Sequence, residues 1–281
     1  MSSFRRARLL VGLGGGVLLG LAGAPASAQT RQLRWNPAVD VTVTAVGATG
    51  WIASEVFEEA LAPARCRWCD VDSPDAAVRQ ALVWRDTSTA DTISDVTGFV
   101  LMPLTALGLD TLAAAHDHAV GDVPENALLI GEATVVAEDV TQLTKLLVGR
   151  ERPFVHALPP EERLRTPSPS GNNVSFFSGH SSEAFALAAA SGTISEMRSY
   201  RWAAATWSVG AAIAVTTAYL RIAADRHWLT DVLVGAVVGA AVGVAMPYAF
   251  HSPEAEAPRS SSATALRAPG SPTATVVTLV W

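Results

Sequence analysis

Apolar residues along this chain fall into long runs, and their spacing is helical rather than alternating. Five stretches rich in Ala, Leu and Val predict helices: Asp95 to Ala115, Glu125 to Val148, Ser181 to Arg198, Arg201 to Leu220 and Leu229 to Phe250. From Val39 to Ala62 mixed apolar and small residues, ending among Glu55, Glu58 and Glu59, predict another. Asp70 to Ser94 is polar, contains Pro74, and reads as a surface connection with a short helix around Ala76 to Trp84. The pattern therefore predicts an all-α fold, a helical bundle of about six core helices.

Two regions break the helical period. Between Phe154 and Phe176 stand Pro159, Pro160, Pro167 and Pro169 with Gly171-Asn172-Asn173, which excludes a regular helix. Loops of this length in a compact domain are usually functional or disordered, and we expect this one to shape a substrate entrance. After Phe250 the composition turns to Ser, Pro, Ala and Thr, so His251 to Ala274 reads as a disordered tail. The final Thr275 to Trp281 is strand-like, fit for an isolated edge strand, a docking segment or a sorting signal, and too short for a barrel.

The first residues change the picture of where the protein works. Arg5, Arg6 and Arg8 precede an apolar run from Leu9 to Leu21, and Ala26-Ser27-Ala28 then offers a small-residue cleavage site, the layout of a secretory signal peptide. The domain reading is thus a signal peptide at 1–28, an N-terminal helix and cysteine-containing connection at 29–94, a helical domain at 95–250, and the tail at 251–281. Removing the signal takes three of the 20 basic residues and none of the 26 acidic ones, leaving a net charge of −9. Such a balance argues against nucleic acid as a partner and against broad attraction to anionic lipid. In an oxidising compartment Cys66 and Cys69, the only cysteines, read as a local disulfide, since a zinc site would have to recruit distant histidines.

Candidate chemistry lies in three short stretches. Arg221-Ile-Ala-Ala-Asp-Arg-His227-Trp-Leu-Thr-Asp231 places an arginine, a histidine and a carboxylate between two apolar segments. If a helix begins near His227, Asp231 stacks on the same face one turn on and can hold the imidazole tautomer that leaves the other nitrogen free as a nucleophile or base. Upstream, Lys145 and Arg152 are about two helical turns apart and share a face if the helix continues that far. Lys145 is also the only lysine in the chain. Between these stretches, Phe177-Ser178-Gly179-His180-Ser181 is a small-residue turn that can open a helix with backbone N–H groups aimed at an anion.

Together, in this order and spacing, the three stretches resemble the signature of the type-2 phosphatidic acid phosphatase superfamily, which also holds bacterial non-specific acid phosphatases and vanadium haloperoxidases. The resemblance covers roughly 95–250 and departs from the usual pattern twice, with Phe177 in place of a proline and Leu220 in place of a serine. It implies a bundle of that family's type and a nucleophilic His227, oriented by Asp231, that is transiently phosphorylated. It further implies that His180 protonates the leaving oxygen and later activates water. Lys145, Arg152 and Arg221 would grip the non-bridging oxygens, and Ser178 and Gly179 would complete the cradle. Phosphoryl transfer needs positive charge and in-line placement above all, so no metal or other cofactor is expected.

The expected function is an exported phosphatase acting on phosphomonoesters or pyrophosphates of a small molecule or lipid. A vanadate-dependent haloperoxidase, with vanadate on His227, and a non-catalytic envelope binding protein are the alternatives. Other histidines carry plainer readings: His116 and His118 flank Asp117 at a helix end and suit solvent rather than metal, and His156 is an exposed loop residue. Arg150 and Arg226 are expected in supporting salt bridges. Arg201 to Leu220 and Val232 to Phe250 are long and apolar enough to span a membrane, whereas Glu132, Glu138 and Asp139 argue against spanning by their own helix. With a cleaved signal, three crossings would put Lys145 on the cytoplasmic side. A periplasmic or envelope-associated domain is therefore expected over a six-crossing enzyme.

Overall fold

A computed structural model of the chain describes residues 30–253; the signal reading at 1–28, the strand-like reading at 275–281 and the tail reading beyond 253 lie outside them, while His251, placed at the start of the tail, is buried against the bundle. The described residues form an all-α bundle. Helix α1 runs Pro37–Val56, α2 Ser73–Leu82, α3 Thr87–His116, α4 Val123–Val148, α5 Gly179–Met197, α6 Ala203–Ala223 and α7 Leu229–Phe250. Single helical turns at Glu58–Leu61 and Pro153–His156 punctuate the connections.

Helix starts follow local chemistry. Asn36 caps α1 by accepting from the N–H groups of Ala38 and Val39, and Pro37 occupies the first turn, where a missing N–H costs nothing. Asp72 caps α2 and Asp86 caps α3 in the same manner. The α3 cap corrects the sequence reading: 87–94 is helix rather than surface connection, and the boundary drawn at residue 95 falls inside α3. These residues lack an apolar stripe because their inward side faces arginines, as described below. Past Asp95 the helix widens into a π-type turn, Val96–Leu101, before resuming at Met102.

Helix α5 is the hub. Ala184, Ala186, Ala188, Ala189 and Ala190 are all buried, and its small side chains let α4, α6 and α7 close around it. Gly235, Gly239 and Gly243 line the face of α7 toward α5. A Cβ at Gly235 would stand 2.6 Å from the Ser178 carbonyl oxygen, and one at Gly243 would stand 2.6 Å from that of Ala186. Any larger residue there would push the helices apart. Leu129, Ile130 and Ala133 of α4 pack with Leu187 and Ile194 of α5 into the main core.

Outward faces are strongly apolar. Helix α1 exposes Val39, Val41, Val46, Ile52 and Val56, and α3 exposes Val100, Leu104 and Leu112. Three helices, Thr87–His116, Ala203–Ala223 and Leu229–Phe250, are long and apolar enough to cross a membrane.

Candidate active site

Helix α4 ends at Val148, where Gly149 takes a left-handed turn (φ 63°). A Cβ at this position would be strained by that φ and crowded by Pro63 and Arg67. The helix therefore does not carry Lys145 and Arg152 on one face; Arg152 arrives through an extended segment, with its guanidinium on the Gly171 carbonyl at 2.7 Å. Both side chains nevertheless line one cavity of about 340 Å³, together with Gly179, His180, Arg221 and His227. Among the described residues the Lys145 ammonium makes no hydrogen bond and no salt bridge.

His227 lies just ahead of α7, which begins at Leu229. Its Nδ1 stands 2.8 Å from the Ser175 carbonyl oxygen. A carbonyl only accepts, so Nδ1 carries the proton and Nε2 keeps its lone pair. Asp231 was expected to hold the ring; its carboxylate stands 3.7 Å from Nδ1 and makes no hydrogen bond to it. Asp231 instead accepts from the Ser175 hydroxyl at 2.5 Å and from the Trp228 N–H at 2.9 Å. It fixes the backbone on either side of the imidazole rather than the imidazole itself. The helix starts two residues later than the i,i+4 argument required, which swings His227 off the α7 face.

Arg150 makes Asp231 rigid. Its guanidinium bonds Asp231 at 2.5 Å and Asp75 at 2.6 Å, lies 3.9 Å over the Trp68 ring, and is almost wholly buried. This is a buried ion triad in which both terminal nitrogens of the guanidinium are paired, and the structural role expected for Arg150 fits it. Cys66 and Cys69, joined as a disulfide, frame Trp68.

Ser178 caps α5, its oxygen accepting from Ser181, and is wholly buried. Its hydroxyl is spent on the helix start, so it does not line the cavity. Gly179 does line it: an added Cβ there would stand 3.0 Å from Lys145 Nζ, so the missing side chain is what leaves the helix N-terminus open beside the ammonium. His180 is held at Nε2 by Asp95 at 2.8 Å, and Phe99 from the π-type turn packs on its ring with centroids 4.4 Å apart. Arg221 donates to Asp91 at 2.9 Å and to the Ser94 hydroxyl at 2.7 Å, so a hydroxyl meets this guanidinium from α3 although Leu220 supplies none. Arg226 pairs with Asp91.

The cup is electrostatically tense. Burial, with Arg152, Arg221 and Lys145 adding to it, pushes the His227 imidazole well below its usual range. Burial and Arg221 bring His180 down to about 4, against the pull of Asp95. Lys145 is lowered by burial despite Glu138, while Glu138 is held up to about 8. Glu183 is raised well above the ordinary carboxyl range, first by burial and then by Glu138. Both imidazoles are thus pushed toward the neutral form, and Lys145, Arg152 and Arg221 share the cavity wall with Glu55 and Glu58 as well as with Glu138 and Glu183.

Sequence reasoning missed several members of this site. Glu138 and Glu183 line the cavity, Asp95 meets His180, Asp91 and Ser94 meet Arg221, and the main chain of Ser175 orients His227. Glu183 lies three residues from His180 in the same helix, a signal the spacing carried; Asp91 and Asp95 had none. The remaining histidines sit apart: His116 faces Asp117, and His156 faces Glu151.

Three basic side chains, a free imidazole nitrogen, a second imidazole and a helix N-terminus around one cavity suit a tetrahedral oxyanion. Residues 126–253 match the family model of the PAP2 superfamily, the type-2 phosphatidic acid phosphatase superfamily that the motifs resemble. Neither the curated proteins nor the solved structures gave a significant match to the chain. At the level of the superfamily, the match suggests phosphatase or haloperoxidase-type chemistry.

Proposed function

We propose that this protein is an exported, metal-independent phosphatase that cleaves phosphomonoesters or pyrophosphates through a phosphohistidine on His227. The Nδ1–H of His227 donating to the Ser175 carbonyl carries the reading, because it leaves Nε2 as a lone-pair nitrogen among Lys145, Arg152 and Arg221. Nε2 attacks phosphorus, the bond to the leaving oxygen breaks, and protonated His180 gives that oxygen its proton. Water then attacks phosphorus, the P–N bond breaks, and His180 takes the water's proton. The substrate's own negative charge raises the His180 pKa on binding, which supplies the acid that the free site lacks.

Loop residues Phe154, Thr166, Pro167 and Ser168 line a second cavity of about 490 Å³ that shares Glu58 and Arg152 with the first, which favours the loop as the substrate entrance. The exposed apolar faces of α1 and α3 favour attachment to the envelope membrane. Cell fractionation with and without detergent tests this, and recovery of all the protein in detergent-free extracts refutes it.

The decisive experiment offers purified full-length protein p-nitrophenyl phosphate, phosphatidic acid and a polyprenyl pyrophosphate in parallel, with ³²P-labelled substrate quenched for trapped phosphate. Turnover with acid-labile, base-stable label on wild type and none on His227→Ala is expected. Full activity in that variant removes the nucleophile. Bromide oxidation on adding vanadate, without phosphatase turnover, would favour the haloperoxidase reading.

A further inference from the structure

At the end of the bundle away from the cup, three buried side chains from distant parts of the chain converge: Asp40 in the first turns of α1, Glu132 in α4 and His251 just past α7. One ligand atom from each lies within 4.8 Å of the other two. Glu132 precedes Lys145 on α4 by about 20 Å of helix, so this group is separate from the phosphate cup.

His251 Nε2 faces Glu132 Oε2 at 3.4 Å, and both atoms are buried without a hydrogen-bond partner among the described residues. The orientation of the ring makes this costly. Nδ1 lies 3.2 Å from the Arg34 carbonyl, an acceptor, so the proton belongs on Nδ1 and Nε2 turns a lone pair toward a carboxylate. Lone pair against lone pair in a buried space repels unless a proton or a metal cation lies between them, and a metal would also engage Asp40. Asp40 brings a second carboxylate, one oxygen of which accepts from the Asn36 N–H at 2.7 Å.

We propose that Asp40, Glu132 and His251 form a binding site for a divalent transition-metal ion of the zinc type. Imidazole nitrogen with two carboxylate oxygens suits zinc, and the imidazole disfavours magnesium or calcium. The supporting bonds have the form such sites use: the imidazole gives its other N–H to a main-chain carbonyl, and a ligating carboxylate is fixed by a backbone N–H. The ion would clasp both ends of the described bundle to its middle, where Arg34 already donates its N–H to the Ser252 carbonyl at 3.3 Å. Its role is structural and does not depend on the phosphatase reading.

The test uses full-length protein stripped with EDTA and titrated with Zn²⁺ by calorimetry and with Co²⁺ by absorption. Wild type should bind one ion per chain, show a cobalt d–d band and melt several degrees higher with zinc. Glu132→Gln and His251→Gln should each weaken zinc binding by more than the roughly 10–100-fold that losing a supporting residue costs, and should abolish the zinc-induced rise in Tm. His180→Ala should bind zinc as wild type does. Absence of stoichiometric binding in wild type overturns the proposal, as does binding that survives both variants. Loss of binding in His180→Ala but not in Glu132→Gln places the metal in the cup and overturns it equally. A Tm lowered to the same degree with and without zinc in Glu132→Gln makes the cluster a plain ion pair.

Discussion

The two ends of this bundle bury polar clusters of opposite character. Around the cup, Lys145, Arg152 and Arg221 meet two imidazoles, two carboxyls, Glu138 and Glu183, whose burial favours the protonated form, and Glu55 and Glu58 at the wall. At the far end, two carboxylates meet one imidazole. Each cluster leaves polar atoms unmatched, and the sign of the excess states which counter-ion completes it: an oxyanion at one end, a metal cation at the other. A third buried group shows what completion looks like. Arg198 bonds Glu125 at 2.5 Å and Asn126 at 2.9 Å, so it needs nothing from outside. Unpaired charge, rather than buried charge, separates sites from scaffolding here.

The comparison breaks most visibly at His227. His227→Ala should lower turnover on the order of 10⁴-fold or more while leaving the Zn²⁺-dependent rise in Tm intact. A shared loss would mean that the ends are coupled. Next, Lys145→Met should cost about 10²–10³ in kcat/KM with little effect on Tm, since its ammonium holds no partner in the free protein. Arg198→Met should do the reverse, lowering stability by up to about 3 kcal/mol through the partly buried Glu125 and Asp122 and the buried Asn126 it abandons, while the folded fraction keeps its kcat. Urea unfolding beside steady-state kinetics on both variants checks the contrast, and a stable, inactive Arg198→Met would erase it.

His180→Ala should act more selectively. With alkyl phosphates, whose leaving oxygen needs a proton, about 10²–10⁴-fold in kcat is expected, and with p-nitrophenyl phosphate much less. A plot of rate against leaving-group pKa should steepen in the variant; parallel lines would strip His180 of the acid role.

How much of this was legible follows from where the information lay. The helical runs are strongly apolar, so the bundle and most of its helices could be read from period alone. Lys145, Arg152, His180, Arg221 and His227 are side-chain signals in short motifs, and all five line one cavity. What escaped was written elsewhere. The hold on His227 comes from a main-chain carbonyl at Ser175, which no side-chain pattern announces. Residues 87–94 show no apolar period because Asp91 and Ser94 face Arg221 and Arg226 instead of apolar neighbours. Ser178 fits an anion cradle by type, yet its hydroxyl is needed for the cap. The Asp40, Glu132 and His251 cluster has no local spacing at all, only a tertiary one.

The smallest effect sharpens the contrast through protons. Burial and Arg221 hold His180 down at about 4, below the usual 6.5 of an imidazole, so the unfolded chain takes up a proton there before the folded one does. This histidine's contribution to stability is therefore full above pH 6.5 and is lost as pH falls toward 4. A bound dianion favours the protonated ring, so binding it should draw in a proton across the same window. Sulfate is tetrahedral and stays doubly charged from pH 5 to 8, which separates the protein's titration from the ligand's. The rise in Tm caused by sulfate should accordingly grow as pH falls from 7.5 to 5.5, and His180→Gln should flatten that growth without touching the zinc response. A sulfate response independent of pH in wild type would show that the imidazole does not take up the proton, and the acid for the leaving group would then have to come from the protonated carboxyls of Glu138 or Glu183.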